Sequence, residues 1–361
     1  MSQQQDRQLL FVGSYAEAEG PGVYTYELNQ NTGELKELDQ VSGLKNPTFL
    51  NVDAAKHRLY AIGETVAEDT KAGEAVAFTF DETSGILTEI SRELNLHATT
   101  CHINRDQDHS FLVVAAYHGG QVGLIGLNAD GTLGALLDMK QHTGHGVDPE
   151  RQDKPHVHSA WFSPDEKYVL VCDLGLDIVR IYALDRTKGE LVFHKDAVLP
   201  PGSGPRHLAF HPQGDKVYVI NEVNSTIAAF TYEANAGELT LQQVVSTLPD
   251  GFQGENGTAE IAVSSDGRYV YGSNRGHDSI VLFEVEPEDG QLKLVEHVSS
   301  EGGHPRHFTL TPSGEWMIVA NRDSNNLAVF KVDTKTGKLA FTGLTAQVSK
   351  PVCVKPLLNY N

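Results

Sequence analysis

The sequence predicts an all-β protein, a seven-bladed β-propeller whose blades each hold four antiparallel strands. Three observations lead to this prediction. One glycine turn recurs seven times along the 361 residues, and the two ends of the chain each supply part of one blade. In addition, no convincing amphipathic helix of about ten or more residues interrupts the pattern. The whole chain, residues 1–361, is therefore interpreted as one propeller domain.

The recurring turn is a glycine followed two residues later by leucine. Its intervals range from 46 residues, between Gly85 and Gly131, to 58 residues, between Gly131 and Gly189. Such spacing is typical of a four-stranded blade, which takes about 40–50 residues in known repeat classes. Glycine suits the turn because it adopts positive φ at little cost. The seven copies lie at Gly33, Gly85, Gly131, Gly189, Gly237, Gly290 and Gly337.

The fifth repeat illustrates the strand pattern within a blade. Short runs rich in Val, Tyr and Ile alternate with turns that contain Gly and Asp, as β-strands and their connections do. The four strands predicted for this repeat are Arg206–His211, Lys216–Asn221, Thr226–Tyr232 and Leu239–Ser246.

The ends of the chain predict how the ring closes. The first repeat begins at Leu9–Tyr15, which matches a second strand, so this repeat lacks an innermost strand. The C-terminal segment Lys350–Leu358 matches the missing strand, because Pro351-Val-Cys-Val repeats the pattern of the other innermost strands. We expect this segment to complete the first blade and to remove the exposed edges that invite aggregation. The alternative is an open solenoid of β-repeats, which leaves both ragged ends unexplained.

The composition of the chain restricts the expected binding partners and the expected cellular location. A net charge of −20 argues against nucleic acid and anionic membranes, because both require a basic surface. Three cysteines are too few, and odd in number, for a disulfide framework. No apolar run of about 18 residues indicates a membrane span, and the polar segment Met1–Arg7 lacks the apolar core of a signal peptide. A reduced cytoplasm is the expected location, and the oligomeric state stays open.

Superposed blades would place equivalent positions in two rings around the central channel. Apolar strands lead to these positions, where charged or phenolic side chains recur. The first ring, on the innermost strands, holds Thr48, Thr99, His158, Arg206, Ala259 and Arg306. The second ring, just after each second strand, holds Tyr15, Glu64, Tyr117, Leu174, Glu222, Arg275 and Arg322.

Four ring residues, His158, Arg206, Glu222 and Arg275, come from consecutive blades, the fourth to the sixth, as a single off-axis site requires. Arginine offers planar, bidentate donors to phosphate or carboxylate, and histidine and glutamate can transfer protons. The set therefore predicts a small-molecule site at the channel mouth. Each residue also has a purely structural interpretation. The arginines could be solvated residues at strand ends, His158 could be a histidine of the core, and Glu222 could be an ion-pair partner of Arg206 or Arg275.

One insertion, Gln141–Val157, lengthens the connection between the third and fourth blades. The insertion and its border contain His142, His145, His156 and His158, and histidine clusters can bind metal ions. However, no His-x-x-x-His or Glu-x-x-His unit fixes a ligand geometry, and no glycine-rich loop opens a helix to bind a nucleotide. Neither a metal nor an organic cofactor is expected, although an ion bound by the insertion itself stays open.

Several short motifs span nearly the whole chain. The longest is Arg151-Gln-Asp-Lys-Pro-His-Val-His158, followed by Cys172-Asp-Leu-Gly-Leu-Asp177. The others are Phe11-Val-Gly-Ser-Tyr15, Gly204-Pro-Arg-His207, Val219-Ile-Asn-Glu222, Ser273-Asn-Arg275 and Gly303-His-Pro-Arg-His307. Together they resemble the signature of the 6-phosphogluconolactonase-like family of seven-bladed propellers. Bacterial members of this family open 6-phosphogluconolactone, and fungal relatives cyclise carboxy-cis,cis-muconate with a histidine, two arginines and a glutamate.

The resemblance implies that the catalytic residues are His158, Arg206, Glu222 and Arg275. It implies hydrolysis of a small anionic lactone, 6-phospho-D-glucono-1,5-lactone, to 6-phosphogluconate in the pentose phosphate pathway. Either Glu222 or His158 is expected to take the proton of water, and the other to protonate the leaving oxygen. The expected substrate-binding residues are Tyr15, Tyr117, His207, Arg306 and Arg322. The alternatives are a muconate-type lactonising cycloisomerase and a non-catalytic propeller scaffold that binds a protein partner.

Overall fold

Short strands rich in β-branched and aromatic residues build the whole fold, as their propensities favour. The computed structural model describes residues 6–358, and these residues contain no helix. Their strands form seven four-stranded sheets, in which sequential neighbours pair antiparallel. The predicted all-β, seven-bladed propeller is therefore confirmed.

The first four blades follow one another along the chain. Blade one begins with β1 (Arg7–Ser14), β2 (Val23–Asn29) and β3 (Leu35–Val41). Blade two contains β4 (Leu50–Asp53), β5 (Arg58–Ala67), β6 (Thr70–Phe80) and β7 (Leu87–Leu94). Blade three contains β8 (His102–Arg105), β9 (Phe111–Ala116), β10 (Gln121–Leu127) and β11 (Leu133–Gln141). Blade four contains β12 (Val157–Phe162), β13 (Tyr168–Asp173), β14 (Ile178–Asp185) and β15 (Glu190–Val198).

The last three blades repeat the arrangement and end in one extra strand. Blade five contains β16 (Pro205–Phe210), β17 (Lys216–Asn221), β18 (Thr226–Glu233) and β19 (Glu238–Ser246). Blade six contains β20 (Gly257–Val263), β21 (Tyr269–Arg275), β22 (Ser279–Val285) and β23 (Leu292–Ser299). Blade seven contains β24 (Pro305–Leu310), β25 (Trp316–Asn321), β26 (Asn326–Val332) and β27 (Leu339–Gln347), and β28 (Pro351–Pro356) follows it. The strands predicted for the fifth repeat match those of blade five to within about one residue.

The C-terminal strand closes the ring. β28 pairs antiparallel with β1, so that Val354 lies opposite Val12 and Cys353 lies opposite Gly13. It also contacts β24 of blade seven and β4 of blade two, which places it among the innermost strands. The prediction that the last strand completes the first blade is confirmed, and the open solenoid is wrong.

The recurring glycine turn lets neighbouring blades pack closely. All seven predicted turn glycines have positive φ, from 56° at Gly237 to 82° at Gly131. A Cβ atom on Gly33 would lie 2.5 Å from the indole of Trp316 in blade seven, and one on Gly237 would lie 2.5 Å from the ring of Tyr168 in blade four. At these two positions glycine is therefore required by the turn and by the aromatic side chain of the preceding blade.

Residues 1–5 and 359–361, which include most of the polar N-terminal segment, lie outside the described residues, so the assignment of the whole chain to one domain remains a prediction. Between residues 6 and 358, no helix has the length and apolar character needed to cross a membrane. The three cysteines, Cys101, Cys172 and Cys353, are free thiols, so no disulfide supports the blades.

Candidate active site

The first-ring side chains are directed by β-bulges in the innermost strands. In blades four, five and seven, one residue is left over between two paired positions, and that residue is His158, Arg206 or Arg306 respectively. A bulge interrupts the regular alternation of a strand and re-aims a side chain. As a result, His158 and Arg306 both reach a cavity at the end of the central channel.

In five of the seven blades, one recurring main-chain hydrogen bond fixes the second-ring residue at or near the end of the second strand. The N–H of the ring residue donates to a carbonyl in the connection that leads into the innermost strand of the same blade. The bonds join Tyr15 to Lys350 (3.1 Å), Glu64 to Lys45 (2.8 Å), Leu174 to His156 (3.0 Å), Glu222 to Gly204 (2.7 Å) and Arg322 to His304 (3.1 Å). Because this bond repeats, equivalent side chains converge around the channel.

The sequence alignment of blade three is wrong by two residues. His102 pairs with Ala115, so Cys101 rather than Thr99 occupies the first-ring position. The innermost strand of this blade begins only at His102, so Thr99 lies in the connection that precedes it. Both Cys101 and Thr99 line the cavity. Burial raises the pKa of Cys101 to about 11, so its thiol stays protonated near neutral pH and is a poor nucleophile.

The cavity at the channel mouth, hereafter the mouth cavity, has a volume of about 260 Å³. Its walls come from six of the seven blades, so it lies across the channel axis. The ring residues that line it are Tyr15, Thr48, Glu64, Cys101, Tyr117, His158, Glu222 and Arg306. Ligand pockets generally range from about 300 to 1,000 Å³, so this cavity suits one small ring with its substituents.

Glu222 is the electrostatic centre of the site. Its buried carboxylate lies 3.0 Å from Nε of Arg206 and 2.8 Å from Nη2 of Arg275. Burial by itself would raise the pKa of Glu222, but the guanidiniums of Arg275 and Arg206 outweigh it and hold that pKa well below its ordinary value. The Nε2 atom of His158 lies 3.9 Å from the same carboxylate. Glu222 is therefore ionised at neutral pH and is a weak proton acceptor.

The side chains of Arg206 and Arg275 are buried, and the protein occupies most of their donors. Nη1 of Arg206 donates to the carbonyl of Ala259 at 2.6 Å. Arg275 donates from Nε to the carbonyl of Gly257 at 3.0 Å and from Nη2 to that of Thr258 at 2.5 Å. Burial and the neighbouring cations lower the pKa of Arg206 to about 9, so it stays charged at neutral pH. Within the described residues, Nε and Nη2 of Arg206 and Nη1 of Arg275 donate no hydrogen bond, although Nε of Arg206 lies at ion-pair distance from Glu222.

His158 is buried and neutral. Burial, together with the positive charge of Arg206, holds the pKa of His158 well below its ordinary value. Its Nδ1 atom has no hydrogen-bond partner in the part of the chain that the structure describes. Its ring packs edge-on against Tyr117, with the two ring centres 5.4 Å apart. A neutral imidazole held in this way can accept a proton.

Three of the expected substrate-binding residues, Tyr15, Tyr117 and Arg306, line the mouth cavity. The guanidinium carbon of Arg306 lies 5.8 Å from the ring centre of Tyr15, a cation–π contact. Arg306 makes no ion pair with any carboxylate among residues 6–358. Its donors are therefore free for a ligand, whereas Glu222 and main-chain carbonyls hold the guanidiniums of Arg206 and Arg275.

The other two expected substrate-binding residues lie elsewhere. His207 sits beneath the mouth cavity, where its Nδ1 atom lies 2.9 Å from the Glu260 carboxylate and its ring packs against that of His158. Arg322 pairs with the neighbouring Asp323 at 2.6 Å and does not line the mouth cavity. The four expected catalytic residues therefore come together around Glu222. Of the five expected substrate-binding residues, three line the mouth cavity and two do not.

Sequence reasoning missed Arg151 as a site residue, although it opens the longest motif. Its Nη2 donates to Oε1 of Glu222 at 2.5 Å, so three guanidiniums share one carboxylate. Arg151 is carried by the insertion loop, residues 142–156, which lies between β11 and β12. The buried amide of Gln152 anchors this loop by donating to the carbonyl of Leu174 at 2.8 Å. The motif that begins at Arg151 was the one sequence feature that could have indicated this residue. Its contact with Glu222, however, depends on how the loop packs, which the local sequence does not encode.

The insertion histidines are held separately rather than grouped. His142 is buried, with Nδ1 2.6 Å from Asp173 and Nε2 2.9 Å from the hydroxyl of Tyr182. His156 lies 3.1 Å from Asp153, and its ring stacks on Tyr117 at a centre distance of 4.3 Å. Within the described range, the acidic group close enough to share an ion is Asp106, Asp108 and Glu166. Arg186 already lies within 2.9, 3.5 and 2.6 Å of these three carboxylates, which weakens their attraction for a cation.

Exhaustive chelation is therefore expected to leave the activity unchanged. The insertion histidines are not grouped as metal ligands would be, and the acidic group is paired with Arg186 and does not line the mouth cavity. The measurement is turnover before and after dialysis against EDTA, with an undialysed control. Loss of turnover that a divalent ion restores would contradict this expectation.

The fold and the site geometry can be compared with known proteins. The profile of the family "Lactonase, 7-bladed beta-propeller" matches residues 9–356. The chain belongs to this lactonase family. The lactonase is 37% identical over 345 residues to the 6-phosphogluconolactonase of Bacillus subtilis, which covers 96% of this chain and 97% of the relative. It is 33% identical over 337 residues to the 6-phosphogluconolactonase of Formosa agariphila, which covers 91% of this chain and 94% of the relative.

A solved structure supports the same assignment. The periplasmic gluconolactonase of Pseudomonas aeruginosa is similar to this lactonase with a TM-score of 0.90 and 32% sequence identity, covering 97% of this chain and 99% of that one. The lactonase is thus a lactone hydrolase that acts on a small lactone. The non-catalytic scaffold considered from the sequence is therefore set aside.

Proposed function

We propose that the substrate is 6-phospho-D-glucono-1,5-lactone, which the protein hydrolyses to 6-phosphogluconate in the pentose phosphate pathway. The observation that carries this proposal is that one small cavity is lined by a neutral imidazole, His158, and an unengaged guanidinium, Arg306. They belong to blades four and seven, so a substrate that spans the cavity can offer its carbonyl to one and its phosphate to the other. The names of the Bacillus subtilis and Formosa agariphila relatives support the same substrate. A cytoplasmic location is part of the proposal.

The reaction begins at the lactone carbonyl. His158 takes a proton from water while the water oxygen bonds to the carbonyl carbon, and the carbonyl oxygen becomes an oxyanion. Arg206 does not itself line the mouth cavity, but its buried positive charge acts on His158 and stabilises the oxyanion from behind the cavity wall. When the tetrahedral intermediate collapses, the bond between the carbonyl carbon and the ring oxygen breaks. The His158 imidazolium then returns its proton to that oxygen, which becomes a hydroxyl group.

Glu222 assists this cycle without taking the proton. Its low pKa makes it a poor base, but its charge holds Arg206 and Arg275 in place. At 3.9 Å from Nε2 of His158, it also stabilises the imidazolium that forms during the reaction. In this proposal His158 has both proton-transfer roles that the sequence left open: it is the general base first and the general acid afterwards.

Arg306 is the residue that binds the phosphate. Guanidinium and phosphate groups match in bidentate geometry, and Arg306 has its donors free at the cavity wall. The net charge of −20 repels an anion at long range, but salt screens that repulsion beyond about 8 Å. Local guanidiniums therefore decide whether the anion binds.

Replacing Arg306 by alanine is expected to raise the KM for 6-phosphogluconolactone by about 10–100-fold, the value of one lost charge-assisted contact. The change in kcat should be small, because Arg306 binds the phosphate in both the ground state and the transition state. With glucono-1,5-lactone, which has no phosphate, both constants should stay close to those of the wild type. Arg268→Ala is the matched control, since Arg268 is exposed and pairs with Asp266 away from the cavity. An equal loss with both lactones would contradict a phosphate-binding role.

A substrate panel tests the proposed function itself. Wild-type kcat/KM is measured with 6-phosphogluconolactone, glucono-1,5-lactone and carboxy-cis,cis-muconate, after subtraction of spontaneous lactone opening. The phosphorylated lactone should give the highest value. Turnover confined to carboxymuconate would instead support the muconate-type alternative and overturn the proposal.

A further inference from the structure

Glu64 is the second carboxylate on the wall of the mouth cavity. It lies in β5 of blade two, at the second-ring position equivalent to Glu222, and its N–H donates to the carbonyl of Lys45 at 2.8 Å. Its side chain is half-buried. Among residues 6–358, no cation lies within ion-pair distance of it and no side chain donates a hydrogen bond to it; the ammonium of nearby Lys45 pairs with Glu17 instead, at 2.9 Å.

The two carboxylates of the mouth cavity therefore differ in how many protein groups they are paired with. Glu222 is saturated by Arg151, Arg206 and Arg275, whereas Glu64 keeps its acceptor sites open. An ionised carboxylate has about four lone-pair sites and no donor. A ligand that replaces water at Glu64 therefore has to bring N–H or O–H groups to it.

The remaining lining determines which donors fit. Beside Glu64, the wall is formed by Tyr15 and Arg306 on one side and by Thr99 and Tyr117 on the other. The unpaired charges of the cavity are thus one cation, Arg306, and one anion, Glu64. A ligand with carboxylates at both ends would be repelled at Glu64. A ligand with one anionic group and several neutral hydroxyls would match both residues.

We propose that Glu64 is the specificity-determining residue of this site and that it accepts hydrogen bonds from the hydroxyl groups of a polyhydroxylated lactone ring. The inference rests on the lactonase activity and deepens the proposed function, because it separates recognition of the sugar hydroxyls by Glu64 from recognition of the phosphate by Arg306. It also gives a physical reason for the site to prefer a sugar lactone over a muconate-type dicarboxylate or tricarboxylate. A ligand without hydroxyls would leave the carboxylate desolvated and unpaired.

The test compares two lactones with the same six-membered ring. These are a hydroxylated lactone, either 6-phosphogluconolactone or glucono-1,5-lactone, whichever the wild type hydrolyses faster, and δ-valerolactone, which has no hydroxyl groups. For each variant, kcat/KM is measured with both, and the ratio of the two values is the selectivity. Glu64→Ala should lower the selectivity by about 10–100-fold, as expected for the loss of hydrogen bonds to a charged group. Glu64→Gln should fall between alanine and the wild type, because an amide can still accept from a hydroxyl.

The control variant is Glu93→Gln, which removes an exposed carboxylate of the same blade outside the cavity and should leave the selectivity unchanged. A parallel loss with both lactones would assign Glu64 a structural or proton-transfer role and overturn the inference. An unchanged ratio would overturn it as well. Failure of the proposed function would show separately, as a wild type that does not prefer the phosphorylated lactone to glucono-1,5-lactone.

Discussion

Replacing His158 by alanine is expected to lower kcat by about 10²–10⁴-fold, the usual contribution of general acid–base catalysis. The imidazole is the neutral proton acceptor on the wall of the mouth cavity. Its Nδ1 atom has no protein partner in the described residues, so the substitution removes a reacting group and breaks no Nδ1 hydrogen bond. The measurement is kcat with 6-phosphogluconolactone after subtraction of spontaneous opening, on protein whose fold is checked by circular dichroism.

The pH profile gives a second measure of the same role. The pKa of His158 is held well below its ordinary value, so the imidazole remains an acceptor through the neutral range. Wild-type kcat/KM should therefore fall only in solutions more acidic than about pH 6.5, the ordinary histidine pKa, and His158→Ala should lose this acidic limb. The control is His145→Ala, since His145 is exposed on the same insertion loop. Wild-type kcat in folded His158→Ala protein would remove His158 from the chemistry.

The companion variant Glu222→Gln should lose kcat by a similar factor and should also lose stability. Glutamine keeps the shape of the side chain, but it removes the charge that Arg206, Arg275 and Arg151 share. Breaking a buried ion pair by removing one partner costs about 3–5 kcal/mol, and the unfolding midpoint should fall accordingly. Turnover must therefore be measured below that midpoint. Near-wild-type turnover by folded Glu222→Gln protein would leave Glu222 with a structural role alone.

Most of the fold could be predicted because its signals are local and repeated. Each turn glycine satisfies two demands at once, the positive φ of the turn and the close approach of a side chain of the preceding blade, such as Trp316 against Gly33. Seven copies of such a signal make the period unmistakable even when single strands are ambiguous. The closure was predictable for a related reason, since the innermost strand missing at one end of the chain is present at the other.

Site residues could be predicted from the sequence only at positions that the blade repeat determines. The second-ring positions, Glu64 and Glu222 among them, are set by one recurring main-chain bond, so an alignment of the blades finds them. Blade three departs from that alignment by two residues at its innermost strand, where Cys101 takes the place expected for Thr99. The Arg151 contact with Glu222 crosses from the insertion loop to blade five, and His207 is drawn beneath the cavity by Glu260 of the next blade. Contacts of this kind depend on tertiary packing, for which a single sequence has no local pattern.

Deleting residues 350–361 is expected to abolish soluble, folded protein. The deletion removes β28, which supplies the innermost strand of blade one and contacts blades two and seven. Val352 and Val354 of this strand are buried, and burial of such a side chain contributes about 1.5–3 kcal/mol. The main-chain groups of β1 that pair with β28 would lose their partners as well, and the ring would open at an exposed edge. Together these losses approach the net stability of an ordinary domain, about 5–15 kcal/mol.

The matched control for this truncation is a chain that lacks only residues 359–361, which keeps every strand of blade one as bounded in the structure. It should express, melt and turn over substrate like the full chain, whereas the chain without residues 350–361 should aggregate or be degraded. The measurements are soluble yield, the unfolding midpoint and the far-ultraviolet circular dichroism spectrum. An unchanged midpoint in the longer truncation would mean that β28 does not hold the ring closed. Addition of a synthetic peptide with the sequence of β28 should restore part of the folded protein, because the vacant edge of β1 accepts an antiparallel strand.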